Sequence, residues 1–589
     1  MLRAYQCTQY IFAHKFESLK KFFPIFDWLP NYRKSYLAGD ISAGITVGIM
    51  LIPQGMAYAM IAGLPPVFGL YAALLPQVIY AIMGTSRQLA IGPVAMDSLI
   101  IASGLGALSL SGINEYISMA IFLALFVGII QVLMGFLKMG FLVNFLSKPV
   151  ISGFTSAAAL IIGITQLKHL LGITVSSNKT LPIIKQTLAQ LDQINPVAVA
   201  VGLAGIGIML LIKRISSQIP AAIVVVIFGI SLAYFTPLTN YGLILVGKIP
   251  DGLPSFGVPS IPWEDLGQLF TLALAMSLIA FMEVVSIGKA LEEKVKSNTI
   301  NPNQELIALG TGNIVGSFFQ CYPTTAGFSR TAVNFQAGAK TGVAAFISAS
   351  LVALTLLFLT PVFYYLPNAI LASIIMLAIT SLIDLNYPKE LYKNQKDEFL
   401  LLIATFLITL FVGIQEGIIL GVLFSLLLMV YRTSKPHMAV LGQIKGTTYF
   451  KNINRFATDI IDRKDILVVR FDAQLFFGNK DYFYKELKKH IKAKGPELKT
   501  IIINAEAINY VDSSAIYILK YLILELRQKE ITLMIAAATG PTRDILFKTG
   551  VTELLGAENL FVRVVEAVEF IDGVHPRTEI EDRVSRQKF

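Results

Sequence analysis

An arginine flanked by small and hydroxyl residues stands between two apolar stretches, in the run Thr324-Thr325-Ala326-Gly327-Phe328-Ser329-Arg330-Thr331-Ala332. A charge at such a place is costly in a membrane, so it usually faces a polar cavity and takes part in function. Ser329 and Arg330 open a short apolar segment, where the N–H groups of a helix N-terminus and the guanidinium would point the same way. Because such a helix end attracts anions, the sequence predicts an anion site at Arg330.

Alternatives stay open at each residue of this site. Arg330 could bind loop carbonyls as a structural charge, or hold an oxyanion with its planar donors. Ser329 could cap the helix, bind the anion, or do both. Gly327 and Gly92 carry no side chain, which allows either close backbone approach to a small anion or tight helix packing.

Two polar side chains on an early apolar helix suit the same ligand. Gln54 and Tyr58 are four residues apart and therefore share one helical face. An amide and a phenol can both donate hydrogen bonds to an oxyanion. Pro53 beside them predicts a kink in that helix.

Glu283 is an acid deep in the apolar run 278–286. It could form a structural salt bridge to Arg330. Alternatively it could take up and release a proton, since burial disfavours the charged carboxylate and a nearby cation favours it. In that second case charged Glu283 competes with the anion for Arg330, and protonation frees the guanidinium. Proton and anion movement are then coupled through one arginine.

Two further charges lie near the third apolar segment. Arg87 precedes that segment and is expected to be interfacial or structurally paired. Asp97 falls inside it, where it could be the structural partner of Thr85, Arg87 or a lysine, or could have a functional role. The sequence does not decide between these alternatives for Asp97.

Composition sets the class of protein. The chain has 589 residues, of which 55% are hydrophobic and 15% charged, with a mean hydropathy of +0.66. Such values fit a polytopic membrane protein rather than a soluble one. The net charge of +10 comes from basic terminal regions and indicates membrane orientation rather than nucleic-acid binding. Cys7 and Cys321 give no metal-ligand spacing, and no metal or other cofactor is predicted.

About fourteen apolar segments follow one another along the first three quarters of the chain. Two of them, 89–105 and 328–339, are short and begin at Gly, Pro or Ser residues, and each is third in its half. Short, interrupted segments in matching positions indicate a transporter built from inverted repeats. An even number of spans with basic flanks predicts that both termini are cytoplasmic.

The expected organisation has four parts. Residues 1–39 form a cytoplasmic N-terminal segment and residues 40–433 the transmembrane transport domain. Residues 434–573 form a soluble domain in which strands and helices alternate, with continuous Ile/Val runs that predict a partly buried α/β sheet. Residues 574–589 are charged and apolar-poor and are expected to be a disordered tail. The soluble domain carries no catalytic constellation, so an enzyme is not predicted.

Several runs in the right order resemble the sulfate permease family, which includes the solute carrier 26 anion exchangers. The run 52–59 with 62–66 resembles the family's first-helix signature, 84–88 with 92–95 its third-segment motif, and 328–334 its tenth-segment motif. The runs 501–504 and 511–515 resemble the STAS domain (sulfate transporter and anti-sigma factor antagonist) that such transporters carry. Asp512 or Ser513 would cap the helix that follows there.

The resemblance implies a helical membrane protein with fourteen segments in two inverted repeats of seven, divided into core and gate subdomains, with a cytoplasmic STAS domain. The anion would lie between the facing ends of the third and tenth segments, and Glu283 would couple the proton. The family also implies a homodimer and, for this chain, a plasma or inner membrane location. Substrate binding is implied for nine residues: Gln54, Tyr58, Ala90, Ile91, Gly92, Gly327, Phe328, Ser329 and Arg330.

The leading function is therefore uptake of an inorganic oxyanion, sulfate first, by proton symport. Bicarbonate or dicarboxylate transport, sodium-coupled or by exchange, is an alternative in the same fold, and an uncoupled channel-like protein is another. Family members that carry bicarbonate use an aspartate and sodium, so Glu283 favours a proton. The same acid disfavours the channel-like alternative. A divalent anion would suit Arg330 and two helix N-termini when Glu283 is neutral.

Overall fold

The computed structural model of the protein describes residues 20–108, 110, 112–141, 147–175, 180–215, 221–248, 250–295, 299–380, 383–455 and 460–574. Residues 1–19 of the expected N-terminal segment and residues 575–589 of the expected tail lie outside the described residues. Internal contacts divide the chain into two compact units, one up to Ser425 and one from Leu426.

The first unit is almost entirely helical. Its helices are α1 (Ile25–Trp28), α2 (Lys34–Ile61), α3 (Pro66–Ala72), α4 (Leu75–Met83), α5 (Ala95–Leu105), α6 (Ile113–Phe136), α7 (Lys148–Leu171), α8 (Thr180–Ala189), α9 (Pro196–Ile215), α10 (Ala221–Phe235), α11 (Leu266–Val295), α12 (Pro302–Ser317), α13 (Phe328–Gln336), α14 (Val343–Leu354), α15 (Asn368–Ile379), α16 (Asn386–Asn394), α17 (Lys396–Phe411) and α18 (Ile414–Ser434), the last of which continues into the second unit.

Among the described residues, six helices are long and apolar enough to cross a membrane, and five shorter helical segments are strongly apolar. The polytopic helical class is therefore confirmed, while the count of fourteen segments stays a prediction. One expected span, 67–83, is divided into α3 and α4, because Pro76 lies in the first turn of α4 and cannot donate a hydrogen bond to a preceding turn. Pro53, by contrast, lies inside a continuous α2.

Close helix packing in this unit depends on small residues. Gly128 of α6 faces Gly310 of α12, and a Cβ built on either glycine would lie 2.6 Å from the other's carbonyl oxygen. Two helix backbones can approach this closely only where side chains are absent. Membrane helices commonly associate through such small residues, because in lipid no hydrophobic effect drives the helices together. The α6–α12 and α2–α14 pairs are the most extensive helix contacts of the unit.

Two short strands cross in the middle of the first unit. Strand β1 (Ile91–Gly92) precedes α5, and β2 (Thr325–Ala326) precedes α13. They pair antiparallel, with Ile91 opposite Ala326 and Gly92 opposite Thr325. The two interrupted segments expected from the sequence are thus short helices, each preceded by a strand. Since α5 begins three residues after β1 and α13 two residues after β2, the N-termini of both helices lie close to this pair of strands.

The second unit is an α/β domain around one mixed sheet. Its strands are β3 (Met438–Ile444), β4 (Phe450–Asn452), β5 (Ile460–Ile461), β6 (Ile466–Phe471), β7 (Thr500–Asn504), β8 (Thr532–Ala536) and β9 (Leu560–Phe561). Its helices after α18 are α19 (Lys480–Lys494), α20 (Ser513–Gln528), α21 (Gly540–Lys548), α22 (Val551–Leu555) and α23 (Val564–Ile571). Strands β6 to β9 are parallel neighbours, while β3 joins β4, β5 and β6 antiparallel.

The parallel part of this sheet agrees with the sequence prediction, and the antiparallel part was not predicted. Strand β7 is buried at all five positions, as expected for a strand covered by helices on both faces. Asp512 is the N-cap of α20 and accepts a hydrogen bond from the Ala515 N–H at 2.8 Å. This confirms one of the two caps proposed there.

Candidate functional site

Arg330 lies in the first turn of α13 with 1% of its surface exposed. Its Nη1 donates to the Pro93 carbonyl at 2.5 Å, in the loop between β1 and α5. Its Nε and Nη2 are buried without a hydrogen-bond partner among the described residues. Buried donors are normally paired, so a guanidinium held on one side and unpaired on the other is arranged for a further acceptor.

Two glycines make room for this guanidinium. A Cβ on Gly327 would lie 2.8 Å from Arg330 Cζ and Nη2, and one on Gly92 would lie 3.5 Å from Nη2. Gly92 also has φ +154°, a backbone conformation that residues with a Cβ rarely adopt. At Gly327 the group that takes the place of a side chain is therefore the Arg330 guanidinium and not a neighbouring helix.

Hydrogen bonds between the two interrupted segments fix the crossing. Gly327 N–H donates to the Ala90 carbonyl at 3.0 Å, and Ala90 N–H donates to Thr331 Oγ1 at 3.0 Å. Asn334 Nδ2 donates to the Gln88 carbonyl at 2.8 Å. Both backbone groups of Ala90 are thus used inside the protein, and the neighbouring Ile91 is 1% exposed and paired with β2.

Glu283 of α11 lies beside the crossing, but no ion pair within 4.0 Å joins it to Arg330. Its Oε2 is buried and has no hydrogen-bond partner in the described part of the chain. Arg330 still acts on Glu283 electrostatically, and so does Asp97. The structural salt bridge considered from the sequence is therefore absent from this geometry, and the carboxyl remains near the guanidinium without neutralising it.

Asp97 is placed differently from the sequence expectation. Thr85 and Arg87, two of its proposed partners, have other contacts: Thr85 donates to Glu305, and Arg87 lies 3.5 Å from Asp27. Asp97 itself is 1% exposed, and neither of its carboxylate oxygens has a hydrogen-bond partner among the described residues. Of the alternatives left open from the sequence, a hydrogen-bonded structural partner for Asp97 is therefore not observed among the described residues.

The face of α2 that carries Gln54 and Tyr58 is buried at the same centre. Gln54 is 8% and Tyr58 7% exposed, and Gln54 Oε1 has no partner among the described residues. Tyr58 and Tyr322 both interact electrostatically with Arg330. Tyr322, which precedes the crossing, was not predicted as a site residue from the sequence. The one feature that could have indicated it is its position beside Pro323, just before the polar run that leads to Arg330.

Phe328 and Ser329 occupy the first two positions of α13, and both side chains are exposed. Gly327 is the N-cap residue, so the suggestion that Ser329 caps the helix was wrong. In the first turn of any helix the N–H groups have no intrahelical partner. The backbone of these two residues therefore offers donors at the same helix end that carries Arg330.

A buried carboxylate that was not predicted from the sequence, Glu305, fixes the segment of chain before β1 by hydrogen bonds. Glu305 is fully buried and accepts hydrogen bonds from Tyr80 Oη at 2.5 Å, Thr85 Oγ1 at 2.5 Å and Thr85 N–H at 2.8 Å. Gln304 beside it donates to the Met83 carbonyl at 2.8 Å. These contacts tie α12 to the loop between α4 and β1. An acid in the first turn of a helix is common, because it complements the helix dipole, so the sequence alone did not indicate a special role for Glu305.

The site thus combines one cation, two helix N-termini and two unpaired acids in a buried place. Among the described residues, buried polar atoms without a hydrogen-bond partner here include atoms of Gln54, Asp97, Glu283, Arg330 and Asn334. The cation and helix ends can hold an anion, while the acids can bind protons that offset its charge. The described residues contain no group of three or more metal-ligating side chains.

Comparison with known proteins assigns a family to each of the two parts of the chain. The family model described as "Sulfate permease family" matches residues 37–405, and the model described as "STAS domain" matches residues 457–567. Sulfate transporter 4.1, chloroplastic, from Arabidopsis thaliana is 38% identical over 95% of this chain and 84% of its own length. High affinity sulfate transporter 2 from Stylosanthes hamata is 32% identical over 93% of this chain and 86% of its own.

Solved structures share the fold. The murine Solute Carrier 26 family member A9 anion transporter in its inward-facing state superposes with a TM-score of 0.87 at 24% identity, over 95% of each chain. The transmembrane domain of a cyanobacterial bicarbonate transporter, BicA, gives 0.58 at 22% identity over 67% of this chain and 98% of that one. The expected architecture, a helical membrane domain followed by an α/β STAS domain, is confirmed.

Proposed function

The chain belongs to the sulfate permease family, and from this membership we propose that it carries sulfate across a membrane by symport with protons. Its relatives of 38% and 32% identity are named sulfate transporters, which supports sulfate as the substrate. An enzyme function has no support, since the relatives are transporters.

One observation carries the proposal: Arg330 is buried with Nε and Nη2 unpaired at the meeting point of two helix N-termini. A sulfate oxygen pair matches the planar fork of a guanidinium. The N–H groups at the start of α5 and α13 supply further donors. Gln54 and Tyr58 on α2 complete the site from the side, while the backbones of Ala90 and Ile91 position it.

Glu283 supplies the coupling in this mechanism. When charged, it attracts Arg330 and repels a dianion, so sulfate binding is weak. When protonated, it leaves the guanidinium free for sulfate, and proton and anion move together as the site turns to the other side of the membrane. The absence of a direct ion pair to Arg330 suits a carboxyl that must change its protonation state rather than one that locks the structure.

We also propose a homodimer in the plasma or inner membrane, with both termini cytoplasmic. The basic flanks of the helical region support this orientation. One relative is named chloroplastic, and localisation of the tagged full chain distinguishes a chloroplast membrane from the proposed one.

Radiolabelled sulfate uptake into proteoliposomes tests the transport function. Wild type is expected to take up sulfate faster under an inward proton gradient, and Glu283→Gln is expected to take it up without gradient stimulation. The substitution removes the titrating group and keeps its shape. Gradient-stimulated uptake that persists in Glu283→Gln would contradict the coupling role. No sulfate uptake in wild type would turn attention to bicarbonate or dicarboxylates and to sodium.

Binding in detergent tests the site itself. Arg330→Ala is expected to abolish sulfate-dependent thermal stabilisation, and Arg330→Lys to weaken binding at least tenfold, about 1.4 kcal/mol, because an ammonium lacks the bidentate geometry. Arg214→Ala is the matched control, since Arg214 is exposed on α9. Unchanged affinity in Arg330→Ala would remove Arg330 from the site.

A further inference from the structure

Asp97 is a buried acid for which the mechanism above has no use. It occupies the third position of α5, directly after the loop whose Pro93 carbonyl holds Arg330. It is 1% exposed, and both of its carboxylate oxygens lack a hydrogen-bond partner among the described residues. A charged carboxylate in such a place is strongly disfavoured, whereas a protonated one costs much less.

The groups around Asp97 come from four elements. Glu283 of α11 interacts with it electrostatically, and Tyr322 before β2 does as well. Arg330 of α13 and Tyr58 of α2 share the same cluster through Tyr322. Helices α6 and α7 also pack against α5; the titratable or charged residues on these two helices include Glu115 on α6 and Lys148, Lys168 and His169 on α7. Glu283 is therefore the group that interacts with both Asp97 and Arg330.

The charges of the site can be counted in each protonation state. Arg330 contributes one positive charge, and two helix N-termini contribute about half a charge each. A bound sulfate dianion balances these when both Asp97 and Glu283 are neutral. With one acid ionised the site has an excess of about one negative charge, and with both ionised about two. Sulfate binding therefore favours two protonated carboxyls, not one.

We propose that Asp97 is a second proton-binding carboxyl of the transport site, so that two protons accompany each divalent oxyanion. The proposal rests on the proposed function and deepens it. Two protons and one sulfate carry no net charge, so the coupled step is electroneutral. Glu283 acts directly on Arg330, while Asp97 acts on Glu283 and on the charge of the occupied site.

Sulfate uptake under a clamped membrane potential tests this proposal. In proteoliposomes with potassium and valinomycin, wild-type uptake is expected to rise with the second power of external proton concentration and to be insensitive to potential. Asp97→Asn keeps the shape and removes one proton site. Its uptake is expected to rise with the first power and to be accelerated by an inside-positive potential, because each cycle then carries one negative charge. Asp97→Glu is expected to restore the wild-type pattern.

A binding measurement covers the case in which Asp97→Asn does not transport. Proton uptake on sulfate binding is followed with a pH indicator in weakly buffered detergent, at a pH high enough for both carboxyls to be ionised before sulfate binds. Under that condition wild type is expected to take up twice as many protons per sulfate as Asp97→Asn. Equal proton uptake by the two proteins, or a wild type that is first order in protons and sensitive to potential, would overturn the role of Asp97. A wild type with no proton stimulation at all would instead refute the proposed symport.

Discussion

Arg330 divides its guanidinium between the protein and the centre of the site. Nη1 is fixed by the Pro93 carbonyl at 2.5 Å, and this one bond orients the whole planar group. Nε and Nη2 are buried and have no hydrogen-bond partner among the described residues. A lysine could supply the charge but not a fixed fork with two remaining donors, so the residue type follows from the geometry as much as from the charge.

Gly327→Ala tests how strictly this geometry is required. The new Cβ would lie 2.8 Å from Arg330 Cζ and Nη2, so the guanidinium must move. We expect sulfate affinity to fall at least tenfold, about 1.4 kcal/mol, with the protein still folded. Sulfate-dependent thermal shifts measure both quantities.

Gly207→Ala is the control for this experiment, since a Cβ there would meet nothing within 4 Å. That variant should bind sulfate as wild type does. Wild-type affinity in Gly327→Ala would mean that the guanidinium tolerates displacement and does not make the contacts assigned to it.

Sequence patterns indicate which residues are candidates for a site more readily than they indicate the contacts of those residues. Arg330 in a short interrupted segment and Glu283 in an apolar helix stand out because isolated charges are rare there. The partners are set by contacts between residues more than two hundred positions apart, such as Thr85 with Glu305. A local pattern carries no information about such pairs, and for that reason the sequence left the surroundings of Asp97 undecided.

At the scale of elements, the crossing of β1 and β2 is the part that positions everything else. Each strand has only two residues, too few to be recognised from alternation of apolar and polar residues. The sequence therefore indicated where the helices were interrupted but not that the interruptions pair with each other. The pairing satisfies backbone groups that would otherwise be unpaired at membrane depth.

Glu305→Gln tests whether the loop before β1 is held by the buried carboxylate. Both Thr85 donors bond to one carboxylate oxygen, Oε1, at 2.8 and 2.5 Å, and Tyr80 Oη donates to the other, Oε2. The amide NH₂ of a glutamine must face either the Thr85 donors or the Tyr80 hydroxyl, and it accepts a hydrogen bond from neither. Leaving such donors without an acceptor costs about 1–3 kcal/mol. We expect a lower thermal midpoint in detergent and a weaker response to sulfate.

Glu264→Gln is the matched control, because Glu264 is exposed and its substitution should leave both measurements unchanged. If Glu305→Gln melts as wild type does, the network at Thr85 and Tyr80 does not stabilise the fold. A lower midpoint with unchanged sulfate affinity would limit Glu305 to a structural role away from the site.

At the scale of the whole molecule, composition and the Ile/Val runs were enough to predict a helical membrane domain followed by a soluble α/β domain. Strands β6, β7 and β8 were predicted within one residue because they are buried and continuous. Strands β4, β5 and β9 have three residues or fewer, and β3 is interrupted by Gly442 and Gln443. Their assignment depends on pairing partners rather than on local pattern.

The second unit can be tested independently of transport, because it has two apolar clusters of its own, one on each side of its sheet. Glu525 on α20 connects this unit's helices. It accepts hydrogen bonds from Tyr484 at 2.6 Å and Lys529 at 2.8 Å, and it is paired with Lys488 of α19. Partial burial opposes its ionisation, but the bonds from Lys488, Lys529 and Tyr484 outweigh burial and lower the pKa of Glu525 to about 2.

This depressed pKa sets a pH window for stability. In an unfolded chain a glutamate has a pKa of about 4.3. The carboxylate of Glu525 therefore stabilises the folded domain fully above about pH 5, and this contribution is lost as the pH falls toward 2. In a fragment of residues 436–574 we expect Glu525→Gln to lower the free energy of unfolding by about 1–2 kcal/mol at pH 7. The difference from wild type should shrink below pH 4 and vanish near pH 2, as measured by urea denaturation. Glu553→Gln, at an exposed position of α22, is the control and should show no such pH dependence. If Glu525→Gln lowers the free energy of unfolding by the same amount from pH 7 to pH 2, the charge of the carboxylate is not what joins α19 to α20.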